Sequence, residues 1–203
     1  MSDHHDAAGH ERRPGHRFPS DRWARLVSDE RRAFLDPQRV VERLDVRRGS
    51  TVADLGAGPG FFTLPLAECV GAAGRVHAVD VSPEMVRVLR ERGLPPQVEA
   101  EVSEENRFPI SDAVVDLAFL AFVLHELSDP TAFLADVRRI LAPGGRLAVL
   151  EWVPKEEDLG PPLHERLSVD DSMELLADGG FAVIEEGELN ASSYLLMAVP
   201  RLE

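Results

Sequence analysis

From Thr51 onward, short apolar runs alternate with longer amphipathic stretches. The runs fall at 51–55, 75–80, 97–102, 115–121 and 145–151, and their length and β-branched content are those of buried strands. Helix signals sit between them. One helix is expected from Gly60 towards Val70, a second from Pro83 with Ser82 as its cap, and a third after Asp129 and Pro130, ending near Pro143 and Gly144. Strand–helix–strand alternation of this kind predicts βαβ units, and so an α/β, doubly wound, mostly parallel sheet. Two last strand candidates, 181–188 and 193–199, are joined only by a short turn at Asn190, Ala191 and Ser192, which adds a C-terminal antiparallel β-hairpin and brings the sheet to about seven strands.

Before Gly49 the pattern differs. Residues 1–20 hold His4, His5, His10 and His16 among Gly, Pro, Asp and Arg without hydrophobic period, and read as a mobile, His-rich arm. Residues 21–48 read as a helical preface: Trp23, Leu26, Val27, Phe34 and Leu35 mark short helices, and Pro37 begins another with Val40, Val41 and Leu44 along one side. The remainder, 49–203, is expected to be one domain, with a long loop over 154–162.

Charge and composition narrow the chemistry. The 203 residues carry 36 acidic and 22 basic side chains, a formal charge of -14, which disfavours nucleic acid as a partner. The first 48 residues are nearly balanced, so the acidic excess belongs to the main body and an anionic ligand would better meet the Arg-bearing start. A lone cysteine, Cys69, rules out a disulfide framework and a thiolate metal cluster and fits a reducing compartment. No stretch is long and apolar enough for a membrane span, and the polar start MSDHHDAAGH lacks a signal-peptide core; the expected location is cytoplasmic. The four early histidines lack metal-ligand spacing, and no metal is expected.

The strongest chemical signal is VADLGAGPGFF at 52–62. A strand delivers Asp54, and then Gly56, Gly58 and Gly60 let the backbone turn sharply and approach a ligand ahead of a helix start. Asp80, at the end of the next strand, can accept both hydroxyls of a ribose. Together these describe a nucleoside site. A dinucleotide fold shares this first unit, but the spacing is GxGxG and not GxGxxG, Asp54 suits a ligand bearing an ammonium group, and the chain closes in a hairpin where a dinucleotide fold has a second half.

On these residues the chain resembles the class I S-adenosylmethionine (SAM)-dependent methyltransferases, over about residues 37–200, and most of all the small-molecule enzymes of the ubiquinone/menaquinone-biosynthesis type. The resemblance implies a Rossmann-like sheet, SAM as cofactor with S-adenosylhomocysteine as product, and in-line methyl transfer to a small-molecule acceptor. It implies that Asp54, Gly56, Gly58 and Gly60 hold the methionine portion, that Asp80 holds the ribose, and that Val81 and Met85 flank the adenine. In SEENRFPISD (103–112), Glu104 stands where the family has Asp and Asn106 where it has Glu; either the Glu104 carboxylate then accepts from the exocyclic amine of the adenine, or the Glu105 backbone N–H does most of the recognition.

Methyl transfer from a sulfonium requires alignment and exclusion of water, with a base only where the acceptor loses a proton. The rim beyond the strand ends offers His125 and Glu126 after the fourth strand and Glu151 and Trp152 after the fifth. The resembled family often has His-His at the first pair, so a paired-imidazole role does not transfer. His125 is the leading catalytic candidate, either as a base or acceptor-orienting group, or as a histidine that caps its loop. Trp152 either walls an apolar substrate or packs under the long loop. Phe18, Trp23 and His16 or His10 could reach substrate if the first segment closes over the site as a lid. The Asn/Asp-Pro-Pro-aromatic motif of amino-DNA methyltransferases and the cysteines of arsenite methyltransferases are missing. Two other readings stay open: a catalytically silent SAM- or S-adenosylhomocysteine-binding protein acting through a partner, and a nicotinamide-dependent reductase. The oligomeric state is open, a homodimer included.

Overall fold

In the computed structural model, which describes residues 17–201, the strand runs form β1 (Thr51–Leu55), β2 (Arg75–Asp80), β3 (Val98–Val102), β4 (Val115–Ala121), β5 (Leu141–Trp152), β6 (Phe181–Asn190) and β7 (Ser193–Pro200). They make one sheet in the order β3-β2-β1-β4-β5-β7-β6. The pairs from β3 to β5 are parallel, and β7 runs against both of its neighbours. The terminal hairpin therefore inserts its second strand, not its first, next to β5.

Two-residue alternation splits the strands between two cores. Val52, Leu117, Phe119, Ala148 and Leu150 face one side, where they pack with Val40 and Val41 of α2 (Pro37–Arg43), Leu66 and Val70 of α3 (Thr63–Val70), and Val86 and Leu89 of α4 (Pro83–Glu91). Ala53, Leu55, Leu120, Leu147 and Val149 face the other, against Leu134 and Val137 of α5 (Pro130–Ile140) and Leu176 of α6 (Val169–Asp178). Asp54 shares the parity of Val52, which aims its carboxylate towards α3. The preface supplies a 3-10 helix at Ser20–Val27, α1 (Asp29–Leu35) and α2.

Helix starts follow the expected chemistry. The Ser82 hydroxyl accepts from the Met85 N–H at 3.3 Å, and the Asp129 carboxylate from the Ala132 N–H at 2.9 Å, each with proline at the first turn. Three elements depart from the sequence expectation. The first crossover helix starts at Thr63 and not at Gly60, because Gly60 sits at φ 84°, in the left-handed region. The third ends at Ile140, not near Pro143, because the chain turns extended at Leu141, which pairs with Val115. Helix α6 was not expected at all. Ser168 and Asp171 form its reciprocal capping box, with aspartate doing what glutamate or glutamine does in the usual signature.

Candidate active site

The strand order reverses between β1 and β4, and in an open α/β sheet the crevice beyond the carboxyl ends at such a reversal is where ligands bind. Here the chain delivers Asp54 and the glycine loop from β1, Asp80 from β2, His125 and Glu126 after β4, and Glu151 and Trp152 from β5.

The loop is anchored to its neighbours. Gly56 and Ala57 both donate to the Val79 carbonyl, at 2.8 and 3.0 Å, Gly58 donates to the Asp80 carboxylate at 2.8 Å, and Gly60 donates to the Ala57 carbonyl at 2.9 Å. Gly56 lies at φ 76°, and a Cβ there would overlap Val123, so the loop passes directly against the segment carrying His125. The other oxygen of Asp80 accepts from the Ser82 N–H at 2.8 Å. Burial pushes Asp80 above the ordinary carboxylate range, opposed by these two N–H bonds and by the charge of Arg17.

Asp54 is almost fully enclosed, and its Oδ2 accepts from the Thr63 hydroxyl at 2.6 Å. Burial pushes it up to about 7, against the pull of Thr63 and with a contribution from the Asp80 charge. A buried carboxylate this short of positive partners is suited to receive a cation.

Across the cleft, His125 and Glu151 form a buried pair. His125 Nδ1 lies 3.0 and 2.9 Å from the two Glu151 oxygens, and the His125 and Trp152 N–H groups each donate to the same carboxylate at 3.2 Å. Glu151 is fully enclosed and His125 is 3% exposed. Burial draws the imidazole down, but the Glu151 charge and hydrogen bond, aided by Glu126 and Glu165, outweigh it and leave His125 above its ordinary value. With Nδ1–H committed to Glu151, Nε2 is the free basic position; it stands 4.0 Å from Glu126 Oε1. Burial raises Glu126 to about 7, opposed by His125 and by a hydrogen bond from the Phe18 N–H.

The start of the described chain crosses this cleft. Arg17 pairs with Glu105 at 2.7 Å, Ser20 donates to Glu84 at 3.0 Å, and a Cβ on Gly58 would touch Leu26 at 3.7 Å. His16 and the arm before it lie outside the described residues.

The remaining expected residues divide. Val81 is partly open at 36% and Met85 is buried. Glu104 is exposed and forms an isolated bridge with Arg107. The Glu105 carboxylate accepts from the Ser128 hydroxyl and is held low by that bond and by Arg17, so its side chain ties the β3 loop to the segment after β4. Trp152 is 5% exposed, stacked between Phe122 at 4.5 Å and Phe34 of α1 at 6.0 Å, with the Arg166 guanidinium over it at 5.3 Å; Gly160 of the long loop lies against it. Of the two uses foreseen for Trp152, packing under the loop is the one that the geometry displays. Phe122, at φ 62°, is a non-glycine residue in left-handed backbone at the cleft edge.

Sequence reasoning missed Thr63, Phe122, Arg17 and Arg31. Thr63 carried a signal, being in the first turn after the glycine loop. The arginines carried none, because their contacts join segments far apart in the chain. Among the described residues no group of three His, Cys, Asp or Glu side chains is placed to hold a metal ion, and no helix is long and apolar enough to cross a membrane.

Comparison with known proteins fits this geometry. A family model described as a methyltransferase domain matches residues 53–149. A solved SAM-dependent methyltransferase from Aquifex aeolicus is 36% identical, with a TM-score of 0.85 over 89% of this chain and 98% of that one. The ubiquinone/menaquinone biosynthesis C-methyltransferase of Psychromonas ingrahamii is 35% identical over 133 residues, 64% of this chain and 50% of that protein. An uncharacterized 37.1 kDa protein in a transposon of Streptomyces fradiae is 41% identical over 113 residues, 55% of this chain and 33% of that protein. The chain thus spans between a third and about half of the length of these curated relatives.

Proposed function

Because this chain belongs to the class I SAM-dependent methyltransferases, we propose that it transfers a methyl group from SAM to a small-molecule acceptor in the cytoplasm. The observation that carries the reading is the placement of Asp54, the glycine loop and Asp80 on adjacent parallel strands at the order reversal of the sheet. The residues present fit the cofactor: Asp54 is a buried carboxylate with no full-charge partner among the described residues, suited to an ammonium group, and Asp80 closes β2 where a ribose would lie. Val81 and Met85, with Glu104 or the Glu105 N–H, complete the adenine side in this reading.

When bound, SAM supplies an electrophilic methyl group on a sulfonium that becomes a neutral thioether as the methyl leaves. The chain's own residues then align the acceptor, exclude water and receive a proton where the acceptor gives one up. In this reading Glu151 orients His125, and His125 Nε2 takes that proton while the imidazolium is stabilised by Glu151 and Glu126. Residues 21–48 act as a lid, supported by Leu26 beside Gly58 and by the anchoring of the chain just before them, where Ser20 donates to Glu84 and the Phe18 N–H to Glu126. The rest of the chain, 49–203, is the methyltransferase domain. The charge of -14 supports a small molecule over nucleic acid as acceptor.

The test is incubation of metabolite extract with methyl-labelled SAM, comparing wild type with Asp80→Ala. Label is expected to move into a small molecule with wild type and to be lost with the variant. Transfer that persists unchanged in Asp80→Ala overturns the cofactor site.

A further inference from the structure

Arg31 differs from Arg139 and Arg166 in what surrounds its guanidinium, and its neighbour Arg32 shares one of its rings, lying over Phe61 at 5.6 Å. Arg139 is saturated by Asp136, Asp112 and the carbonyls of Phe108 and Ile110, and Arg166 by Glu157 and the carbonyls of Val153, Leu159 and Pro161. The Arg31 guanidinium instead lies over two rings, 5.1 Å from the centroid of Phe61 and 5.4 Å from that of Phe122. Its Nε is sealed from solvent and has no acceptor, and among the described residues no carboxylate pairs with it. In a chain with 36 acidic residues, a half-buried arginine without a counter-charge is a conspicuous omission. An enclosed, unmatched cation is costly unless something completes it.

Its position says where the complement would come from. Phe61 directly follows the glycine loop and Phe122 directly follows β4, so the two rings border the crevice at the order reversal. Rings on the faces of a guanidinium leave its in-plane N–H fork as the hydrogen-bonding direction, and that fork matches a carboxylate. The glycine loop cannot easily supply the same service. The N–H groups of Gly56, Ala57, Gly58 and Gly60 already donate to Val79, Asp80 and Ala57, and residue 59 is proline. A zwitterionic amino-acid tail with its ammonium at Asp54 would meet in Arg31 a guanidinium with a sealed, unpaired Nε, a feature that Arg32, over the same Phe61 ring at 5.6 Å, does not share.

We propose that Arg31 is the carboxylate-binding residue of this site, held over Phe61 and Phe122 to receive the acid group of a small ligand. The inference rests on the methyltransferase reading, in which two ligands can carry that group, the methionine end of the cofactor and the acceptor. The burial that draws Arg31 down to about 10 is consistent with a guanidinium that awaits an anion.

Calorimetry with two nucleosides and one acid separates the sources. S-Adenosylhomocysteine has the amino-acid tail, whereas 5′-methylthioadenosine keeps the adenosine and thioether without it. Benzoate, followed by NMR on the S-adenosylhomocysteine-saturated chain, probes the acceptor side. If the occupant is the cofactor carboxylate, Arg31→Gln weakens S-adenosylhomocysteine by about 10- to 100-fold, the range of a lost charge-assisted pair, and leaves 5′-methylthioadenosine unchanged; Arg31→Lys recovers part of the loss. If it is the acceptor's, both nucleosides bind the variant as they bind wild type, and benzoate shifts appear with wild type and vanish with Arg31→Gln. Equal binding of all three probes by wild type and variant, with melting temperatures matched, overturns the assignment of Arg31 alone. A wild-type chain that binds neither nucleoside overturns the methyltransferase reading and this proposal with it.

Discussion

In the proposed function, Asp54 is the residue whose titration bears most directly on ligand binding. Its folded pKa of about 7 lies above the ordinary 3.8, so between those values the folded chain holds a proton that the unfolded chain has released. The stability contributed by that proton is present below pH 3.8 and is lost as pH rises through about 7. Asp54→Asn removes this dependence: thermal unfolding without ligand is expected to show the variant gaining on wild type between pH 5 and pH 8, while S-adenosylhomocysteine affinity falls. The His125–Glu151 pair makes a kinetic prediction. Burial lowers the imidazole pKa, but Glu151 raises it further, to above its ordinary 6.5, so a base role predicts kcat/KM that rises with pH and levels off only above that value. Glu151→Gln, which leaves three N–H donors facing an amide, is expected to lower kcat by about 100-fold or more. His125→Ala that lowers only the melting temperature, with turnover intact, would reassign the imidazole to structure.

At the level of elements, the aromatic column formed by Phe34, Trp152 and Phe122 joins α1, the end of β5 and the segment after β4. Trp152→Ala is expected to cost about 3–5 kcal/mol in denaturant unfolding, the range for a buried aromatic truncated to alanine. Elements were readable from the chain where local chemistry dictates them. The β1–β2 unit follows from its glycines and apolar runs, and the starts of α4 and α5 from Ser82 and Asp129. The beginning of α3 was misread because Gly60 spends its conformational freedom on the loop before any helix can start. Helix α6 escaped because its box uses Asp171 and because only Ser172 and Leu176 of its length are buried, too few to register as a periodic stripe. The candidate site divides in the same way. Asp54, Asp80 and the glycines belong to a contiguous motif, whereas the Arg17–Glu105 pair and the Arg31 rings arise only when distant segments meet.

For the whole molecule, the sheet centre and its rims should differ in local stability. Strands β1, β4 and β5 are paired on both sides and contribute to both cores, while the 3-10 helix at Ser20–Val27 has no buried residue and the chain there is tied down by a few exposed polar contacts. Hydrogen exchange is expected to be slowest in those central strands and fast over 17–27, with S-adenosylhomocysteine slowing exchange in 17–27 and in the glycine loop and leaving β6 unaffected. Unchanged exchange over 17–27 on binding would remove the lid from the functional reading.

The place of β7 between β5 and β6 also has a meaning in time. A ribosome releases β6 before β7, yet at the sheet edge β6 pairs with β7. During synthesis Phe181–Asn190 must wait, unpaired, for a strand that does not yet exist. The sheet can grow outward from β1 to β5 as the chain emerges, but its last two strands join together or not at all, and the unpaired edge of β5 stays open to wrong partners until Ser193–Pro200 arrives.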